Sequence, residues 1–196
     1  VATQRGEAGM AGDCLISTRP MKDGVASRPN PPQEQVEAAG ALPYRDFSVV
    51  GLVGRRLALQ NTSDIPTLGD IVPDCQLVVQ DADVKMSRVQ IFNNWIPYMV
   101  KDPQHTVWLG LEYYCSENDE IWNMEDEDCT ELARQELEKM GVLEPGARVL
   151  GSCRERVQKA VPANFAGHKE MAGIKQWLEG YSNLICIGQN GQHRKG

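Results

Sequence analysis

No run of apolar residues in this chain approaches the ~18 that a bilayer-spanning helix needs, and residues 1–12 contain no apolar stretch of the kind that opens a secretion signal. A soluble, cytoplasmic protein is expected. Cations are in deficit: 20 Lys and Arg face 27 Asp and Glu, for a net charge of −7. A sequence-independent nucleic-acid binder relies on clustered basic side chains, so nucleic acid is not an expected partner. The histidines, His105, His168 and His193, stand at no ligand spacing, and the six cysteines include no C-x-x-C pair, so no metal site is expected. The acidic stretch 117–128 lacks the glycine a calcium loop needs for its sharp turn. Gly151-Ser152-Cys153 lies in a strand-like segment without the G-x-S-x-G elbow of a serine hydrolase. Cysteines in surroundings such as Leu184-Ile185-Cys186-Ile187 read as free, buried thiols.

What is present belongs to a globular domain: 196 residues, 41% hydrophobic and 24% charged. The chain starts on Val and stops soon after an apolar strand-like run, and is read as a piece of a longer protein. Residues 13–18 read as a short strand closed by Arg19-Pro20. Residues 34–41 have helix-forming composition, and 47–53 form a nearly continuous apolar run suited to the centre of a sheet. The Thr, Ser, Asp and Pro of 61–74 read as irregular, 77–80 and 86–92 as two strands, and 93–103 as a loop.

Residues 106–115 alternate, with Val107, Leu109, Leu111, Tyr113 and Cys115 on one face and Trp108, Gly110, Glu112 and Tyr114 on the other. A helix follows over 125–140: its acidic start complements the helix dipole, Lys139-Met140-Gly141 ends it, and Cys129, Leu132, Ala133, Leu137 and Met140 form its stripe. Residues 148–161 read as a strand pair or one long bent strand, 168–181 as a helix and 184–187 as a strand. Strands first and helices embedded later imply an α+β fold with a mixed, mostly antiparallel sheet and flanking helices.

Two constellations could carry chemistry. Arg88, Gln90, Trp108, Glu112 and Tyr114 fall on the mixed faces of two strands, an arrangement that reads either as core filling or as a platform with aromatic walls and polar anchors for a small-molecule substrate. Gly188-Gln189-Asn190-Gly191 reads as a glycine turn ending a strand, which exposes backbone N–H groups and lets a ligand approach closely.

The succession Tyr44-Arg45-Asp46-Phe47, Asp83-Val84-Lys85, Arg88-Val89-Gln90, Phe92-Asn93-Asn94-Trp95, Gly110-Leu111-Glu112-Tyr113 and Trp122-Asn123-Met124 resembles the flavin-dependent amine oxidase superfamily. Within it the chain is most similar to bacterial protoporphyrinogen-oxidase-like and UDP-galactopyranose-mutase-like FAD proteins. The resemblance implies an FAD-dependent oxidoreductase with a Rossmann-type FAD domain interleaved with a substrate domain. Residues 1–20 would return from the FAD domain, 21–161 form the substrate-binding domain and 162–196 re-enter the FAD domain. Gly188, Gln189, Asn190 and Gly191 would then lie beside FAD, and the rest of the FAD domain would be the chain's partner. The resemblance also admits a flavin-dependent isomerase of UDP-galactopyranose-mutase type. The residues themselves leave open a non-catalytic ligand-binding or interaction module. Gln189 stands where the family usually has arginine, and the dinucleotide fingerprint G-x-G-x-x-G is absent from these 196 residues. The chain alone is therefore not expected to bind FAD tightly.

Overall fold

The computed structural model describes residues 2–3, 6–7, 12–163 and 168–194. Its elements begin with β1 (Ala2–Thr3), β2 (Gly6–Glu7), β3 (Leu15–Ser17), α1 (Met21–Ala26), α2 (Gln33–Gly40) and β4 (Tyr44–Gly54). The middle of the chain supplies β5 (Gln76–Val78), β6 (Arg88–Ile91), α3 (Phe92–Trp95), β7 (Val107–Cys115), α4 (Glu120–Asn123) and α5 (Asp126–Lys139). It ends with β8 (Val149–Pro162), α6 (His168–Glu179), β9 (Leu184–Cys186) and α7 (Gly188–Gly191). Two units emerge, one of residues 1–45 with 159–196, the other of residues 46–158.

In the first unit β3 and β9 pair in parallel, Leu15 opposite Leu184 and Ser17 opposite Cys186. Met21, Val25, Ala39, Leu42, Ile174 and Leu178, from α1, α2, the turn after α2 and α6, form a small core against which Leu184 and Cys186 pack. Ile16 and Ile185 are register partners, and both are largely exposed. Parallel pairs are ordinarily covered on both faces; here, among the described residues, one face is covered. At the chain crossing, Ala163 N–H donates to the Pro43 carbonyl at 3.0 Å, and Lys159 pairs with Asp23 at 2.6 Å.

The second unit is a five-stranded sheet in the order β5-β6-β7-β4-β8. β5–β6, β6–β7 and β7–β4 are antiparallel, with Val50 opposite Leu111 and Val89 opposite Leu111 from the other side. The period-2 alternation puts Val50, Leu52, Val89, Ile91, Val107, Leu109, Leu111 and Tyr113 on one face, where Cys129, Ala133 and Leu137 of α5 are part of the same core. Three acidic residues open α5 and Lys139 lies in its last turn, as the helix dipole favours. Gly141, at φ +69, carries the chain out of the helix in a conformation that costs glycine nothing. The mixed α/β architecture and mostly antiparallel sheet follow the reading of the sequence.

Several local readings are corrected. Residues 93–103 are not plain loop: α3 occupies Phe92–Trp95 and a 3-10 turn follows at Pro97–Met99, because Asn93 is buried and bonded to the start of β7. α1 carries Lys, Asp and Gly in six residues, too short a stretch to display a stripe. Of the two readings of residues 148–161, the single long strand holds: Val149–Pro162 is one strand, with Lys159 at φ +52 near its end. The glycine turn is a single helical turn, α7. All six cysteines are free, as read, yet Cys14 and Cys153 are exposed and only Cys115 and Cys129 are buried. An apolar neighbourhood in sequence buries a side chain only if something covers it: Cys14 precedes β3 outside any element, and Cys153 lies on the open face of β8. Among the described residues no helix is long and apolar enough to cross a membrane.

Candidate functional site

The face of the sheet opposite α5 is open. β7 contributes Trp108, Gly110, Glu112 and Tyr114; Arg88 and Gln90 of β6 stand beside Glu112 and Gly110. On the other flank Phe47, Val49, Gly51 and Val53 of β4 stand beside Tyr114, Glu112, Gly110 and Trp108. The five residues singled out from sequence alternation, Arg88, Gln90, Trp108, Glu112 and Tyr114, thus share one surface.

Polar members of this surface are tied to each other. Glu112 accepts from Arg88 Nη1 at 3.2 Å and from Gln90 Nε2 at 2.9 Å. Gln90 Oε1 in turn accepts from Trp95 Nε1 at 3.1 Å. Its aromatic members are set by glycine. Phe92 lies over Gly110, where a Cβ would meet its ring at 2.7 Å, and packs against Trp108 with centroids 5.0 Å apart. Asn93 anchors this corner by accepting from Trp108 N–H at 2.9 Å and donating to the Thr106 carbonyl at 2.9 Å. Gly51 plays the same part on β4: a Cβ there would meet Cys153 Sγ at 2.7 Å and Trp108 Nε1 at 3.3 Å. Tyr114 is exposed.

Two buried charges hold this sheet from behind, and neither was singled out from sequence. Glu136 accepts from Lys85 N–H at 2.6 Å, Met86 N–H at 3.2 Å and the Tyr113 hydroxyl at 2.9 Å, fixing the segment that leads into β6. Burial first, and the neighbouring Glu136 charge second, push the Tyr113 hydroxyl pKa far up. Arg154, its side chain fully buried, donates to Ser48 Oγ at 2.9 Å and to the Ile121 and Met124 carbonyls, strapping α4 to the sheet. A signal for Glu136 existed, since it lies seven residues after Cys129 on the stripe of α5.

In the first unit, Gly188 takes φ +74 directly after the parallel strand β9. Gly191 lies so close to β3 that a Cβ would meet the Ser17 carbonyl oxygen at 2.8 Å. Asn190 Oδ1 is buried without a partner. Gln189 is exposed. A cavity of about 250 Å³ adjoins this turn, lined among others by Met21, Lys175, Cys186, Gly191 and Gln192. Open backbone at Gly188, where a Cβ would meet nothing nearer than Thr18 at 4.0 Å, and an orphaned acceptor fit the edge of a cofactor such as FAD, without supplying the glycine-rich grip on its pyrophosphate, while Gly191 is packed against β3.

No family model and no curated protein matches the chain. Solved structures do. A reduced UDP-galactopyranose mutase superposes with a TM-score of 0.70 at 19% identity, over 97% of this chain and 38% of its own. The fold is shared with a portion of that structure. A protein from Exiguobacterium assigned as a protoporphyrinogen oxidase superposes with a TM-score of 0.58 at 17% identity, over 91% of this chain and 36% of that one. The chain thus spans little more than a third of the length of these neighbours. At such identities the likeness concerns fold.

Proposed function

We propose that this chain is the substrate-binding portion, with adjoining pieces of the FAD-binding domain, of an FAD-dependent oxidoreductase. In place of the bounds 1–20, 21–161 and 162–196 expected from the resemblance, the two compact units support residues 46–158 as the substrate portion and residues 1–45 with 159–196 as the FAD-domain pieces, the remainder of that domain being their partner. The observation that carries the reading is the open sheet face: a five-stranded sheet packed on helices from one side offers Trp108, Tyr114, Gln90 and the Arg88–Glu112 pair on the other, within a flavoenzyme-like fold. FAD, when bound, supplies the hydride chemistry. The chain's own residues bind and orient a small-molecule substrate on that face, while Gly188, Gln189, Asn190 and Gly191 line the cofactor's edge. A mutase acting on a UDP-sugar is the second reading, favoured by the 0.70 TM-score.

The test is flavin content. Expressed at the full length of its neighbours, the protein should be yellow, and Gly188→Val should lower its flavin occupancy while Gly24→Ala, where a Cβ meets nothing within 4 Å, should not. The 196-residue chain should not bind FAD with submicromolar affinity. A colourless full-length protein that takes up no FAD refutes the proposal. Turnover with an external electron acceptor separates the oxidoreductase from the mutase.

A further inference from the structure

At the end of the sheet where β4 stops and β8 starts, three cations gather around one cavity. Arg55 and Arg56 directly follow β4 and Arg148 directly precedes β8, and the two strands are neighbours in the sheet. All three arginines line a cavity of about 200 Å³, and Glu144 is the one carboxylate among its lining residues. Among the described residues no hydrogen bond or ion pair engages any of these three guanidinium groups. Arg88, Arg134, Arg154 and Arg156, by contrast, each have a carboxylate partner. In a chain of net charge −7 this is a local surplus of positive charge, whose self-repulsion an anion relieves.

The interior of the cavity is apolar. Leu52, Leu109 and Leu143 of the core reach it, with Ala147 and Val149 beside them. Its wall is in place without a ligand: Ala58 N–H donates to the Val142 carbonyl at 2.9 Å, Leu143 N–H to the Leu137 carbonyl at 3.2 Å, and Gly146 N–H to Glu138 at 2.8 Å. Residues 142–148 are thereby tied both to the segment after β4 and to the end of α5. A preformed apolar hollow with a few convergent polar groups is the usual architecture of a small-molecule site. Arg55 and Arg56 also line a second cavity, of about 290 Å³, whose lining includes Asp70; of the two cavities Arg148 lines only the apolar one.

We infer that the apolar cavity binds a small, freely diffusing amphiphilic anion, a carboxylate or phosphate ester carrying a short apolar body. The body fills the hollow between Leu52, Leu143 and Ala147. The head meets Arg148 together with Arg55 or Arg56, whose planar forks suit carboxylate and phosphate oxygens. At about 200 Å³ the hollow is smaller than the roughly 300–1,000 Å³ of drug-sized sites, so it takes one short chain or one ring. Its lining includes none of Arg88, Gln90, Trp108, Glu112 and Tyr114 and no residue of the glycine turn. It is a second ligand site, independent of the proposed flavoprotein reading.

The 196-residue chain is titrated with octanoate, with 1-octanol as the same body without the charge and with acetate as the charge without the body, by calorimetry and in methyl and indole NMR spectra. Octanoate should bind and shift the Ala147 and Val149 methyl signals while leaving the indole N–H signals of Trp95 and Trp108 in place. Acetate and 1-octanol should bind about tenfold more weakly or worse, and octanoate affinity should fall as salt is added. Arg148→Gln should weaken octanoate about tenfold without moving the unfolding midpoint, since the side chain is exposed and unpaired. Ala147→Leu, which fills the hollow, should weaken it too. No octanoate binding, equal binding of 1-octanol, unchanged affinity in Arg148→Gln, or shifts at Trp108 in place of Ala147 overturns the site. Co-sedimentation with phosphatidylglycerol vesicles that Arg148→Gln abolishes overturns the free ligand in favour of a lipid headgroup.

Discussion

Removing the carboxylate of Glu136 should be among the most damaging single changes in the 46–158 unit. The side chain is 6% exposed and satisfies two backbone N–H groups and one phenol, at 2.6, 3.2 and 2.9 Å. Hydrogen bonds to a charged group contribute roughly 1.5–3 kcal/mol net, and each buried donor left without a partner costs about 1–3 kcal/mol. Glu136→Leu strands all three donors, yet it returns apolar volume to the stripe between Cys129 and Leu137. The balance should be a loss of about 3–5 kcal/mol, at the upper end for one substitution. Tyr113→Phe removes a single donor and should cost ~1.5–3 kcal/mol. Because both changes delete the same bond, their effects should not add: in the Glu136→Leu background, Tyr113→Phe should cost at least ~1 kcal/mol less. Equilibrium urea unfolding followed by circular dichroism measures each corner of the cycle. Additivity within roughly 0.5 kcal/mol, or a Glu136→Leu loss under about 1 kcal/mol, would refute the account of this carboxylate as the anchor of the segment entering β6.

Alkaline unfolding supplies a pH counterpart. The folded Tyr113 hydroxyl has its pKa raised by burial, so its contribution is fully present below the unfolded value of ~10 and is lost as pH rises above it; stability that stays level from pH 9 to 11 would contradict this. Leu137→Ala, at a fully buried position, should cost ~2–5 kcal/mol by urea unfolding. Glu138→Ala should cost less, though more than a bare surface change, because Glu138 also accepts from Gly146 N–H at 2.8 Å. Gly191→Ala should destabilise by about 1–3 kcal/mol, since the clash is with backbone; Gly51→Ala should be milder, because the mobile Cys153 side chain can turn aside. In thiol labelling of native protein, exposed Cys14 and Cys153 should react first, and Cys115 and Cys129, their pKa values raised by burial, only on unfolding. Fast modification of Cys129 in native protein would show that the stripe of α5 is not packed against the sheet.

Much of the fold was legible in the sequence because its signals are periodic and local. The alternation of 107–115 assigned every side chain of β7 to the correct face, and with it the partnership of Trp108, Glu112 and Tyr114 on the open one. Spacing of three and four placed Cys129, Ala133 and Leu137 inward, and the acidic start and Gly141 bounded α5. These elements are read easily because one face of each is buried along its whole length, so burial imprints its period on the residues.

The tertiary structure decided what depends on partners distant in sequence. That Arg88, Gln90 and Glu112 hydrogen-bond rather than merely share a face is a matter of the β6–β7 register, which no local pattern encodes. Glu136 reads as one more acidic residue of a solvated helix until Tyr113 and the backbone of Lys85 and Met86 close around it. Arg154 looks like a surface charge in a polar strand, and only the approach of Ser48, Ile121 and Met124 makes it the buried strap of the sheet. Cys153 shows the reverse, a residue in a β-strand left in solvent because nothing covers its face. In each case the deciding quantity is the desolvation of a polar group or the coverage of an apolar one, and both are set by which segments meet in space.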